Sequence, residues 1–240
     1  MNEKVMNNRQ NIDQACTSCF RSLVSYSSMI RDHKKAVQQV NAAPYIQEEK
    51  LRQINELEAK LKDQVAPICE EIRRQVDVIR DAAYSIERAP MDSMDLSAIG
   101  TLTNLLSAAA STESVVDILG ALTDYANTYR GQQKALTIIK VAMERTGNPN
   151  AEALKSKYGH SLLFHVRDRI GKVDRVVGKM EQPNINHAFD LARELEAFAW
   201  DMGVELSSSF KKMMNAVNSD DYEDAYFTRM LSLMGLGDTI

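Results

Sequence analysis

The chain has 240 residues, 44% apolar and 26% charged, with a formal net charge of −4. That composition excludes a disordered, collagenous or disulfide-stapled chain, and the acidic balance argues against a general nucleic-acid binder. Ten glycines and five prolines are about half the usual share of roughly 12%, so the chain has few turn-makers and should fold into a few long elements.

Four of the prolines, Pro44, Pro90, Pro149 and Pro183, lie between stretches of helical periodicity, and Pro67 lies inside one. From Ile12 the apolar positions run Ile12, Cys16, Cys19, Leu23, Tyr26, Ile30, His33, Val37 and Val40. The steps alternate four and three, which is a coiled-coil-type seam on a helix of about 30 residues. Asn41-Ala-Ala-Pro44 stops it. A second helix carries Ile54, Leu57, Leu61, Val65, Ile68, Ile72, Val76, Ile79, Ala83 and Ile86, with Glu, Lys, Arg and Gln on its solvated face. Pro67 should kink it near Asp63–Ala66, because proline removes one ladder hydrogen bond. The short link at Pro44 makes the two helices antiparallel. A fold-back at 43–44 sets Cys19 opposite Ile68 and Cys69, and arms of this length give a projecting tip near Ala42–Gln47.

Residues 91–147 are poor in charge and should form the central core. Asp95 is the expected N-cap of a helix bearing Leu96, Ile99, Leu102, Leu105, Leu106 and Ala109. Ser111 or Thr112 should cap the next, which carries Val115, Leu119, Leu122, Tyr125, Tyr129, Leu136, Ile139 and Met143. Gly147-Asn-Pro149-Asn150 reads as C-cap, turn and new N-cap. A fifth helix shows Leu163, Val166, Ile170, Val173, Val177 and Met180. A sixth runs from Asn184 to about Ala216, and a last from Tyr222 to Met234. No alternating strand or Asn-Gly hairpin turn occurs. The reading is all-α, with six or seven helices and no sheet: residues 1–90 form a long, coiled-coil-like antiparallel hairpin and residues 91–240 a helical bundle.

Few constellations suggest chemistry. Cys16-x-x-Cys19 lies inside an amphipathic helix, whereas a redox pair sits at a helix N-terminus after a strand. Cys16, Cys19 and Cys69 therefore read first as core residues, and second as a thiol cluster with an oxidisable Cys19–Cys69 pair. No Glu-x-x-His, His-Glu-x-x-His, P-loop, dinucleotide fingerprint or nucleophile elbow is present, so no catalytic residue, metal or cofactor is expected. Arg169, Lys172, Arg175 and Lys179 share a helix face; a solvated surface is the first reading and a phosphate contact the second. The segment 183–240 holds ten acidic residues against four basic. Trp200 lies off the Leu195–Ala199–Met202 seam. With Glu196, Tyr222, Tyr226 and Phe227 it is a candidate partner-binding residue, since aromatic anchors dominate interface energies. No apolar run reaches the ~18 residues of a membrane span, and no leader is visible in Met1-Asn-Glu-Lys-Val. Three cysteines suggest a reducing, cytoplasmic location.

Two stretches carry a resemblance. Tyr45-x-x-Glu48-x-Lys50-x-x-x-Ile54-x-Glu56-Leu57 opens a long charged helix. Val115-Val116-x-Ile118-Leu119, with Tyr125, Tyr129 and Gln133-x-Ala135-Leu136-x-Ile138-Ile139, forms a helix pair. Both are similar to helical proteins encoded in the structural-gene clusters of tailed phages of Gram-positive bacteria. The resemblance covers about a third of the chain. It implies a virion-associated or assembly role, in host cytoplasm or virion, without an activity. The expected function is a non-enzymatic interaction or assembly protein, working through helix–helix contacts with a protein partner or with itself. The alternatives are an acidic-faced inhibitor of a host protein, tested at Glu194, Glu196 and Asp201, and a ligand-binding bundle or enzyme without a known motif.

Overall fold

The computed structural model describes residues 3–109, 112–144 and 166–206. Among them are seven helices and no strand: α1 (Glu3–Ala42), α2 (Gln47–Glu87), α3 (Ser93–Ala108), α4 (Thr112–Thr128), α5 (Gln133–Glu144), α6 (Val166–Lys179) and α7 (Ile185–Asp201). The chain is all-α, with α1 and α2 in hairpin-like contact. The expected final helix with Tyr222, Tyr226 and Phe227, the cap at Ser111, and the start of the fifth helix before Val166 lie outside the described residues.

The described residues group into two compact units. One draws on residues 3–12, 79–109, 112–144, 166–171 and 197–205, the other on residues 13–78, 172–196 and 206. Both take in segments from either side of residue 90. In the first unit, α3, α4 and α5 contact one another pairwise. Their core holds Ile99, Leu106, Val115, Leu119, Leu122, Tyr129, Leu136, Ile139 and Met143. Each Leu or Ile withdrawn from water here contributes on the order of 1.5–3 kcal/mol. The hydroxyls of this charge-poor region are satisfied locally: Thr103 donates to Ile99 O at 2.7 Å and Thr123 to Leu119 O at 2.8 Å, the back-bonding that lets a hydroxyl stay in a helix.

Three boundaries differ from the sequence reading. The N-cap of α3 is Asp92, not Asp95: its extended backbone and a carboxylate accepting from Met94 N at 2.8 Å close the first turn. Asp95 is then free to accept from the Tyr129 hydroxyl. The single helix expected from Thr112 to Met143 is two, α4 and α5, parted at Gly131. Gly131 has φ +82°, and a Cβ there would meet Met202 Cε at 2.7 Å. The sixth helix stops at Asp201 instead of running to Ala216. Gly203, at φ +68°, donates to Trp200 O at 3.0 Å, and Val204 N donates to Ala199 O at 2.9 Å. That pair of bonds is the Schellman motif, with glycine at the left-handed position.

In the second unit, helix α2 continues through Pro67, which lies inside it with its ring exposed. The hairpin register is one turn from the expected one. Cys19 Sγ donates to Ile72 O at 4.0 Å, and Lys50 Nζ to Asn41 O at 2.7 Å. Cys19 therefore faces Ile72 rather than Ile68 and Cys69. The fold-back lies later than Pro44 because Ala43 N still bonds Gln39 O at 3.0 Å, while α2 opens with Lys50 N on Ile46 O at 3.1 Å.

Candidate interaction surfaces

The α1 seam divides into two halves. Ile12, Cys16, Cys19, Leu23 and Tyr26 are buried, as are Leu61, Val65, Ile72 and Val76 on α2. Beyond them Ile30, His33, Val37 and Val40 on α1, and Ile54 and Leu57 on α2, are only half-buried. At the turn, Tyr45 is 48% exposed, Ile46 73% and Leu51 58%. Between the arms lies a cleft of about 250 Å³, lined by Met29, Asp32, His33 and Ala36 and by Leu57, Lys60, Leu61 and Gln64. The His33 Nδ1 atom is buried there with no hydrogen-bond partner among the described residues.

Among the described residues, a third segment meets the hairpin at its base. The Met180 carbonyl accepts from the Tyr26 hydroxyl at 3.1 Å and from Cys69 Sγ at 3.6 Å, and Arg73 pairs with Glu181. The Tyr26 oxygen in turn accepts from Asn184 N at 3.2 Å. Tyr26 thus ties together the end of α6 and the turn before α7, filling needs that a helix C-terminus leaves open. Sequence periodicity places Tyr26 on the seam but carries no sign of where its hydroxyl goes.

Cys16, Cys19 and Cys69 are buried and free. Burial pushes all three thiols up, the Cys19 thiol to about 12 with help from the Glu71 charge, while Arg73 partly offsets the shift at Cys69. They are held as thiols, the form that is neither a good nucleophile nor a metal ligand. Among the described residues no three His, Cys, Asp or Glu are grouped to hold a metal ion.

In the first unit, Trp200 is 59% exposed, and the Arg130 guanidinium lies 4.2 Å from its ring centroid, within cation–π range. Beside them is a junction that sequence reasoning missed. Arg9 donates from Nε to Met202 O at 3.1 Å, and from Nη2 to Thr128 O at 2.9 Å and Arg130 O at 3.2 Å. One guanidinium therefore serves carbonyls at the ends of both α4 and α7, where the helix dipoles are negative. Burial lowers its pKa, and Arg130 adds to that. Glu196 is half-buried on α7, its carboxyl raised by burial. Arg169 of the basic face pairs with Asp201 at 2.8 Å, whereas Lys172, Arg175 and Lys179 are exposed. None of the described helices is long and apolar enough to cross a membrane. No family model, curated protein or solved structure matches the chain.

Proposed function

We propose that this protein is a non-enzymatic helical interaction protein, whose distal hairpin, residues 30–57, docks by helix–helix contact. The observation that carries this reading is the continuation of the apolar seam past the point where the fold covers it. Ile30, Val37, Val40, Ile54 and Leu57 keep helical spacing yet stay half-buried, with Tyr45, Ile46 and Leu51 exposed around them. Exposed apolar side chains scattered singly are ordinary, but grouped ones with helical spacing mark contact surfaces. The half-buried Arg9 and the buried Tyr26 and Cys69 hold backbone carbonyls, a holding role that supports a scaffold. The resemblance to phage structural-cluster proteins supports an assembly setting, in host cytoplasm or virion.

Lysine-directed crosslinking of the protein in its source cells, followed by peptide mapping, tests this. Crosslinks to another chain should concentrate at Lys34, Lys35, Lys50 and Lys60. Crosslinks absent from these lysines, together with one unchanged mass by light scattering across a concentration series, would overturn it.

A further inference from the structure

We infer that the occupant of the distal hairpin is the distal hairpin of a second copy of this chain, related by a two-fold axis running along the helices. The inference rests on the helix–helix reading above and names its partner.

The argument is one of charge. On α1, residues 31–42 carry Arg31, Lys34 and Lys35 against Asp32. On α2, residues 47–58 carry four glutamates against Lys50 and Arg52. Part of this is compensated locally: Arg52 pairs with Glu49 at 2.7 Å and with Glu56 at 2.9 Å on its own helix, and the Lys50 ammonium rests on the Asn41 carbonyl. Lys34 and Lys35 on one arm, and Glu48 and Glu58 on the other, are exposed and make no ion pair among the described residues. Over these two segments the uncompensated charge has opposite signs on the two arms, before α2 turns basic at Lys60 and Lys62. Leu51, exposed, lies on the same stripe of α2 as Glu48 and Glu58, at i+3 and i+10 from Glu48.

A partner of single charge sign would match one arm and be repelled by the other. A second hairpin matches both. With the two-fold axis along the helices, α1 of each copy lies beside α2 of the other, so residues 31–42 of one copy meet residues 47–58 of the other and the surplus charges there are unlike. Each new neighbour is also antiparallel, which opposes the dipoles as in an alternating four-helix bundle. The same operation brings the two turns together, covering Tyr45 and Ile46 of both copies. A closed, isologous contact of this kind ends at two chains.

Charge exchange tests it on the full-length chain. The wild-type protein should associate to a dimer by sedimentation equilibrium, weakening as salt rises from about 0.1 M to about 1 M, over which the screening length drops from ~10 Å to ~3 Å. The pair Glu48→Lys/Glu58→Lys and the pair Lys34→Glu/Lys35→Glu alter exposed residues only, and circular dichroism confirms their folding. Each should self-associate about tenfold or more weakly than wild type, and an equimolar mixture should recover a heterodimer. A dimer indifferent to both reversals, or a wild-type chain monomeric at every concentration, overturns the inference. If the monomeric chain still yields crosslinks at Lys34, Lys35 and Lys50 to a different protein, self-pairing fails while the helix–helix reading stands. If those crosslinks are absent as well, both fail.

Discussion

Arg9 illustrates how much one side chain can hold at the ends of helices. Its guanidinium reaches Met202 O, Thr128 O and Arg130 O, which no single neutral side chain could replace. Arg9→Ala leaves these carbonyls without that donor and should destabilise the fold by about 2–4 kcal/mol in urea unfolding. Arg9→Lys keeps the charge but loses the fork, and should recover only part of that loss. A charged residue near a helix start looks like any solvated charge in sequence, so nothing marked it. The buried thiols give a second expectation at this scale. An unfolded cysteine ionises near ~8.5, whereas Cys19 in the fold ionises at about 12. Between these values the native state keeps a proton that the unfolded state sheds. Stability is therefore at its full value below about pH 8.5 and falls as pH climbs toward 12. The urea midpoint of wild type should drop more between pH 8 and pH 10 than that of Cys19→Ala; equal drops would exclude this linkage.

At the scale of elements, periodicity revealed where helices run better than where they end. The seam from Ile12 to Tyr26 was readable because its 4–3 steps repeat without interruption, and those residues are buried. The break at Gly131 was hidden because Tyr129 and Leu136 are seven apart, the spacing of two helical turns. The stop at Gly203 is hidden because small residues recur along the α7 seam. Both glycines are fixed by positive φ, a conformation that costs an L-residue about 1–2 kcal/mol. Gly131→Ala and Gly203→Ala should each lower stability by at least that much. Gly131→Ala should cost more, since its Cβ would press on Met202 Cε at 2.7 Å and Ile86 Cγ2 at 3.2 Å, whereas at Gly203 the nearest atom is the movable end of Arg9 at 2.8 Å. Thermal melts of the two variants decide the order. The one-turn difference in hairpin register has a similar origin: in sequence Pro44 reads as the pivot, but a proline only forbids continuing the helix. The hydrogen bonds of Ala43 and Lys50 decide where the turn lies.

Across the molecule as a whole, stability should be unevenly distributed, and the candidate surface sits at its weak end. The sequence carries the apolar seam unchanged from Ile12 to Val40, so its spacing cannot say where burial stops. That depends on a third segment, and Met180 and Glu181 meet the hairpin at Tyr26, Cys69 and Arg73. Beyond these contacts the seam positions of both arms are only half-buried among the described residues, and two helices alone are marginal when half of each seam faces water. Amides of residues 31–42 and 47–58 should therefore exchange through local opening, well before those flanking Cys16–Tyr26 and Val65–Val76, which should open only near the global unfolding limit. Hydrogen exchange read by mass spectrometry at two protein concentrations separates the contributions. In dilute protein the distal peptides should exchange fastest among those of the hairpin. If two copies pair, protection should rise with concentration in 31–58 alone and stay constant in the base, because mass action stabilises only the segment that the partner covers. Uniform protection along both arms in dilute solution would mean that the distal hairpin is already stable unaided, removing the energetic reason for it to seek a partner.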